Sequence, residues 1–185
     1  MNKYLRAITD LPTAMIKTFL LKVRHGKNVT ISSSVFMSPF SEVTVDKGAV
    51  FKLGKKFRQR SQAKIRVRKG AELTIGKDIS LNHGCMIVAR EKITIDDGVQ
   101  FGPNVLLYDH DHDYKIKGGI NAGAFKTSPI IIGKNVWIGA GSIILRGTTI
   151  GDNSVVAAGS VVKGEFKTNS LIYQVKETKV KRINF

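Results

Sequence analysis

The chain has 185 residues and a mass of 20.3 kDa, with 42% hydrophobic and 24% charged residues, a composition typical of one soluble globular domain. Its net charge of +16 suits an anionic partner, but it has no zinc-finger spacing, aromatic RNA-binding motif or helix-turn-helix pattern, so we expect no nucleic-acid function. Cys85 is the only cysteine, which excludes an internal disulfide, and no signal-peptide pattern is evident, so we expect a cytoplasmic protein.

The first predicted element is a helix over residues 4–24. Apolar residues recur there at steps of three and four, as on one face of a helix, and lysines and arginines occupy the other face. We favour a helix packed on the domain or on a partner subunit, and the alternative is contact with an anionic membrane surface or glycan. Pro12 suits a first helical turn, so a start near residue 12 is an equal alternative.

Strand-and-turn composition begins near residue 27. Residues 45–55 and 67–77 share one sequence pattern, and residues 95–102 repeat it more loosely, which indicates one structural unit laid down on successive coils. The first two copies are spaced more widely than a coil of three six-residue units requires. We therefore expect a small bulge around residues 58–64.

A six-residue repeat determines the predicted fold. A period of six fits neither an α-helix nor a single strand, and it is typical of a parallel β-helix with the repeated apolar residue pointing inward. Glycine and asparagine between the repeats predict corners with positive φ. The inward series is Ile75, Leu81, Ile87, then Ile95, Phe101, Leu107, and finally Ile132, Ile138, Ile144, Ile150, Val156 and Val162.

The repeat is interrupted over residues 109–128, and such a long excursion from a regular fold is usually functional. The predicted organisation is therefore a helical segment over 1–26, a β-helix over 27–162 with a protruding loop at 109–128, and a basic tail over 163–185. A last strand is predicted within the tail at 170–175.

The loop contains His110 and His112 between three aspartates. Histidine flanked by carboxylates is a candidate general base, because imidazole titrates near neutral pH. Histidine and aspartate are also metal ligands, and a solvated polar loop would have the same composition. The residues alone leave these three interpretations open.

Three segments resemble the hexapeptide-repeat O-acetyltransferases, which include galactoside and maltose acetyltransferases and those of capsule, exopolysaccharide and O-antigen assembly. The segments are residues 101–105, which His112 follows in the sequence, residues 128–139 and residues 150–162. The resemblance implies an all-β fold, a left-handed parallel β-helix. It also implies a homotrimer with active sites between neighbouring subunits, acetyl-CoA as co-substrate, and no required metal.

The resemblance also implies roles for individual residues. His112 lies eight residues after Asn104, at the position where the family has its catalytic base. His110 is the second candidate for the base. If His110 is not the base, its expected role is to bind the acceptor or to orient the loop. A backbone N–H of Gly139 or Ala140 would stabilise the oxyanion. The implied acceptor-binding residues are Asn82, His110 and Trp137, and the implied CoA-binding residues are Gly139, Ala140, Ala158, Lys163, Gly164, Lys179 and Arg182.

The predicted function is acetyl transfer from acetyl-CoA to a saccharide hydroxyl in surface polysaccharide biosynthesis, at the inner face of the cytoplasmic membrane. One alternative is a trimeric zinc enzyme resembling γ-carbonic anhydrase, with His83, His110 and His112 as ligands. The long loop and the Asn-Val-Trp-Ile-Gly segment favour acyl transfer over that alternative. A non-catalytic β-helix scaffold is the third hypothesis.

Overall fold

The computed structural model describes residues 3–175 and 177–183, so residues 1, 2, 176, 184 and 185 of the predicted end segments lie outside the described residues. Helix α1 (Lys3–His25) runs without a break through Pro12 instead of starting there, and a 3-10 helix (Gly26–Asn28) leads from it into the first strand. No helix in the described part of the chain combines the length and apolarity needed to cross a bilayer.

The coils that follow form three parallel sheets, and each complete coil gives one strand to every sheet. Sheet A contains β1 (Val29–Ile31), β4 (Val50–Leu53), β7 (Glu72–Ile75), β10 (Lys92–Ile95), β15 (Ile130–Ile132), β18 (Thr149–Ile150) and β21 (Glu165–Phe166). Sheet B contains β2 (Val35–Met37), β5 (Phe57–Gln59), β8 (Ser80–Leu81), β11 (Gln100–Phe101), β16 (Trp137–Ile138), β19 (Val155–Val156) and β22 (Leu171–Ile172). Sheet C contains β3 (Glu42–Val45), β6 (Lys64–Val67), β9 (Met86–Ala89), β12 (Leu106–Tyr108), β17 (Ile143–Leu145) and β20 (Val161–Val162).

The inward series fills a single core along the axis of the coil. All twelve predicted inward residues are buried, with at most 4% of each residue exposed. Parallel registers stack them directly, as where Leu107 pairs with Ile144 and Ile144 with Val162. The predicted all-β parallel β-helix with one N-terminal helix is confirmed.

The coils differ in length, and all the variation lies where sheet C passes to sheet A, which we call the C–A corner. The register pairs Phe51 with Leu73 and Leu73 with Ile93, so these coils take 22 and 20 residues, whereas Ile131 pairs with Thr149 after 18. The predicted bulge at residues 58–64 is therefore wrong. The extra residues lie between the inward residues Ile65 and Ile75, because the corner there is wider.

The corner residues serve two different purposes. Asn135 has a φ of 55°, so the prediction of positive φ holds there. Gly139 follows an inward residue and does not have positive φ in this structure. A Cβ at Gly139 would stand 2.5 Å from the Ala158 nitrogen of the next coil, so glycine is needed for close approach instead.

The β-helix extends beyond its predicted end at residue 162. β21 pairs with β18, and β22 pairs with β19, which begins a seventh coil inside the predicted tail. Phe166 packs against the core four residues after Val162 instead of six. This shortened step breaks the six-residue period and explains why the sequence pattern stopped early.

Candidate active site

Residues 109–128, which we call the hairpin loop, project from the C–A corner between β12 and β15. The loop folds as an antiparallel pair of strands, β13 (His110–His112) and β14 (Phe125–Thr127), with a 3-10 helix (Gly119–Ala122) near its tip. The strand register places His112 opposite Phe125. The long excursion is thus an enlargement of the corner that already varies in length along the β-helix.

Asp109 fixes the base of the hairpin loop. It is fully buried, and its carboxylate accepts hydrogen bonds from the backbone N–H groups of Arg90 (2.8 Å) and Glu91 (2.8 Å) on the preceding coil. Its Oδ1 also lies 3.1 Å from Nδ1 of His110. A buried carboxylate at one ring nitrogen orients the imidazole and leaves the other nitrogen for chemistry.

The two histidines of the loop have different surroundings. The His110 side chain is 12% exposed, and its ring stands edge-on to Tyr108 at 5.8 Å and to Phe125 at 5.5 Å between centroids. His112 is exposed, and its ring centroid lies 4.5 Å from that of Phe125. The ring of His112 is therefore the more open of the two to a substrate.

Arg90 holds the hairpin loop from the coil side. Its guanidinium carbon lies 3.4 Å from the centroid of the Phe125 ring, and its buried Nε has no hydrogen-bond partner among the described residues. Burial lowers the pKa of Arg90, as does nearby Arg68, while Asp109 and Asp46 oppose that shift. The Phe125 ring therefore contacts the Arg90 cation and both histidine rings.

Asp109→Asn is expected to destabilise the fold by about 1–3 kcal/mol, because an amide nitrogen would face backbone N–H groups that need an acceptor. The matched control is Asp111→Asn, two residues on. Asp111 is half-exposed and pairs through Oδ2 with Arg146 Nε at 2.6 Å, and exposed pairs contribute roughly 0–1 kcal/mol. Urea unfolding of both variants measures the difference, and equal midpoints would contradict the anchoring role of Asp109.

Four of the implied site residues lie where sheet B passes to sheet C, which we call the B–C corner. These residues are Asn82, Gly139, Ala140 and Ala158. The Gly139 N–H donates to the Val156 carbonyl at 2.8 Å, so the coil already uses it and the implied oxyanion role cannot fall on that group. The Ala140 N–H remains the candidate donor at this corner.

Asn82 lies two coils closer to the N-terminus than Gly139. Its Oδ1 accepts a hydrogen bond from the backbone N–H of His83 at 2.8 Å, which fixes the side chain. Asn82 lines a polar cavity of about 330 Å³, whose other lining residues are Asp10, Ser38, Arg60, Ser61, Ser80 and His83. A cavity with this polar lining suits a hydroxyl-rich ligand.

The remaining implied residues are scattered. Trp137 stands on the outer face of sheet B between Gln100 and Val155. Lys163 and Gly164 follow β20 at the C–A corner, on the same edge as the histidines. Lys179 and Arg182 are exposed in the tail, and Lys179 pairs with Glu177 at 3.4 Å.

Within one chain, the candidate base stands on the opposite edge of sheet C from three of the seven implied CoA residues, Gly139, Ala140 and Ala158. His110 and His112 lie at the C–A corner, whereas Gly139 and Ala158 lie at the B–C corner. A strand of three or four residues separates the two edges by about 10 Å. One subunit therefore does not bring these groups together by itself.

The outer face of sheet C is polar in the first two coils and apolar in the next four. We call the latter the apolar face of sheet C, and its members are Met86, Val88, Leu106, Tyr108, Ile143, Leu145 and Val161. Outward apolar residues beside inward ones indicate a sheet covered on both sides. The apolar runs at 105–108 and 143–145 carried this signal in the sequence, but no outward apolar face was predicted from them.

No group of three or more histidine, cysteine or acidic side chains that could hold a metal is found among residues 3–175 and 177–183. His83 lies at the B–C corner, away from His110 and His112. Cys85 is buried, its thiol donates to the Gly102 carbonyl at 3.1 Å, and burial raises the pKa of that thiol. Cys85 is therefore a packing residue and a poor nucleophile.

Residues 129–163 match the family model described as the hexapeptide repeat of succinyl-transferase. The chain is 37% identical to the galactoside O-acetyltransferase of Escherichia coli K12 over 62% of this chain and 56% of that protein. The chain spans about half the length of the first curated relatives it matches. The repeat in this segment is thus shared with proteins of the predicted family.

Two solved structures extend the comparison. A maltose O-acetyltransferase from Clostridium difficile 630 is 34% identical, with a TM-score of 0.52 and coverage of 64% of this chain and 62% of that one. A variant of AntD, an N-acyltransferase from Bacillus cereus bound to dTDP and coenzyme A, has a TM-score of 0.65 at 23% identity and 88% coverage of both chains. The AntD match supports the fold, and the comparisons together confirm the resemblance to hexapeptide-repeat acetyltransferases.

Proposed function

We propose that the protein is an acetyl-CoA-dependent O-acetyltransferase that acts on a saccharide hydroxyl. The observation that carries this proposal is the hairpin loop, which places His112 in the open and His110 on a buried carboxylate, within a β-helix similar to O-acetyltransferases. Acetyl transfer to a hydroxyl needs a neutral imidazole that can accept a proton and a donor that can stabilise an oxyanion. The chain supplies candidates for both.

In the proposed reaction, the acceptor hydroxyl gives its proton to the His112 imidazole as its oxygen attacks the thioester carbonyl. The tetrahedral oxyanion accepts a hydrogen bond from the Ala140 N–H. Collapse of that intermediate breaks the carbon–sulfur bond, and the CoA thiolate takes the proton from the imidazolium. The products are the acetyl ester and free CoA, and neither Cys85 nor a covalent enzyme intermediate takes part.

The proposal requires a site shared between subunits. The hairpin loop lies at one edge of sheet C, and Gly139 and Ala140 lie at the other. On the apolar face of sheet C between them, Val161 is 46% exposed and most of the other members are half-buried. A neighbouring copy packed near that face would bring its own B–C corner to the hairpin loop. Closed symmetric oligomers repeat such a contact, and we propose a homotrimer.

The proposed acceptor is a glycan of surface polysaccharide assembly, modified in the cytoplasm at the inner face of the membrane. The support for this location is the charge of +16, which favours anionic glycans and anionic lipid surfaces. The polar cavity beside Asn82 and Arg60 is where we place the acceptor. Lys163, Gly164, Lys179 and Arg182 remain proposed contacts of CoA.

Acetyl-CoA binding and turnover test the function directly. The purified protein is mixed with acetyl-CoA and a panel of mono- and oligosaccharides, thiol release is followed, and products are identified by mass spectrometry. We expect an acetyl ester on at least one acceptor. Failure to bind CoA would favour a scaffold, and stoichiometric zinc together with carbonic anhydrase activity would favour the zinc enzyme.

Assembly is tested by light scattering, where we expect a mass near three times 20.3 kDa. Subunit complementation then tests the shared site with coexpressed His112→Ala and Asn82→Ala chains. If the two chains mix at random, about one quarter of all sites combine a native His112 from one subunit with a native Asn82 from its neighbour, so about one quarter of the wild-type activity should return. Each variant expressed alone is the control. A monomer, or mixed oligomers no more active than the two variants separately, would contradict a site between subunits.

A further inference from the structure

Helix α1 exposes most of its large apolar residues and packs on the β-helix through a side that contains Ala14, Lys17 and Leu21. The outward residues, each 43–69% exposed, form what we call the apolar face of α1: Ile8, Leu11, Met15, Ile16, Phe19, Leu20 and Val23. At 100° per residue, Ile8, Met15, Phe19 and Val23 fall within about 80° of one another. A contiguous apolar surface of this kind marks a site of interaction.

The rotation of α1 is fixed by contacts on its inner side. Ala14 is buried against the first coil, and the Lys17 ammonium donates to the carbonyls of Ser38 (3.0 Å) and Ser41 (2.6 Å). Burial lowers the pKa of Lys17, and Asp10 opposes that shift. Turning the apolar face inward would break these hydrogen bonds. The outward orientation is therefore a built feature of the fold.

The same end of the molecule also exposes further apolar surface. Phe40, in the turn between Ser38 and Ser41 that Lys17 holds, is 79% exposed. Because α1 lies over the first coil, the apolar face of α1 and Phe40 belong to the N-terminal end of the rod. The hairpin loop and the apolar face of sheet C lie on the long side of the β-helix, away from that end. A subunit packed on the side leaves this end open.

Charge indicates what covers this end. Lys22, Arg24 and Lys27 lie at the C-terminal end of the apolar face of α1, and none of them takes part in an ion pair among the described residues. Arg24 shares a groove with Lys47 and Lys69. The only acidic residue in the sequence of α1 is Asp10, which lines the polar cavity on the packed side.

We infer that α1 is an interfacial anchor that lies in the surface of an anionic lipid bilayer. An apolar helix face with cations beside it matches acyl chains beneath anionic headgroups. A second copy packed on this end would bring its own Lys22, Arg24 and Lys27 to the contact, and repulsion between these like charges disfavours such pairing. The inference is independent of the proposed acetyl transfer.

Vesicle flotation tests the anchor with the full chain. We expect the protein to bind phosphatidylcholine vesicles containing about one-third phosphatidylglycerol at least about tenfold more strongly than pure phosphatidylcholine, and to be released by high salt. Phe19→Ser should weaken binding about tenfold, since an inserted aromatic ring is lost. Lys22→Gln and Arg24→Gln should each weaken it severalfold, on the anionic vesicles alone.

Matched controls separate this surface from general charge and hydrophobicity. Lys167→Gln removes an exposed lysine at the opposite end of the rod, and Val180→Ser removes an exposed apolar side chain in the tail. Neither should change vesicle binding. All these positions are exposed, so the variants should melt as the wild type does.

Three results would overturn the inference. The first is no binding to either vesicle type, and the second is an effect of Lys167→Gln equal to that of Lys22→Gln. The third is a change of oligomeric state in Phe19→Ser without a change in vesicle binding. That third result would assign the apolar face of α1 to another copy of the chain.

Discussion

Replacing Ile144 with aspartate is expected to unfold the protein. Ile144 is fully buried on β17, and its register partners Leu107 and Val162 fill the neighbouring layers of the core. A carboxylate there would have no cationic partner, and such substitutions cost about 4–5 kcal/mol or more, which is most of the roughly 5–15 kcal/mol that stabilises a domain. Circular dichroism on heating measures the loss.

The control for this substitution is Ile131→Asp. Ile131 is also an isoleucine on a short strand of the β-helix, but it points outward and is 47% exposed. We expect Ile131→Asp to remain soluble and to melt within a few degrees of the wild type, because surface substitutions usually change stability by about 0.5 kcal/mol or less. A soluble Ile144→Asp protein that melts normally would contradict the inward assignment of the repeat.

The sequence predicted the core well because a six-residue period has few structural solutions. Ile132, Ile138 and Ile144 each begin a repeat, and a chain that places all of them inward must turn after each one. The same argument located the earlier inward residues up to Leu107. It failed after Val162, where the step to Phe166 is shorter than one repeat.

Other features of the fold had a weaker signal. Ser142, Thr148 and Ser154 are buried at the corners, where their hydroxyls donate to backbone carbonyls, as Thr148 does to Leu145 at 2.6 Å. Buried hydroxyls without such partners would be costly, so these positions are specific to the geometry of the coil. Periodicity alone cannot distinguish them from exposed turn residues. Periodicity also cannot show which part of a coil holds its extra residues, so the widened C–A corner was predicted as a bulge at residues 58–64.

The members of the candidate site were predicted as individual residues, but their arrangement was not. The hairpin loop and its histidines were found because the repeat stops at residue 109. The anchoring of Asp109 by the backbone of Arg90 and Glu91 depends on a contact between coils, which local sequence does not encode. The separation of His112 from Gly139 likewise depends on the sheet topology, because the C–A and B–C corners lie at opposite edges of sheet C.

Replacing His112 with alanine is expected to lower acetyl transfer by about 10²–10⁴-fold, because the proposed base would be lost. CoA affinity and melting temperature should barely change, since the His112 ring is exposed and no hydrogen bond to it is found among the described residues. Steady-state kinetics with saturating acetyl-CoA measure kcat, and calorimetric titration with CoA measures binding. A lower kcat at unchanged CoA affinity assigns the effect to the chemical step.

His110→Ala is the matched comparison, since it removes the same ring two residues away. His110 is largely enclosed by Tyr108 and Phe125 and held by Asp109, so its loss should disturb the hairpin loop and reduce activity less than the loss of His112. Because a base must contact the substrate, the exposed ring is the better candidate. An active His112→Ala protein with an inactive His110→Ala protein would instead make the Asp109–His110 pair the base. Full activity of both variants would contradict the proposed role of the hairpin loop in acetyl transfer.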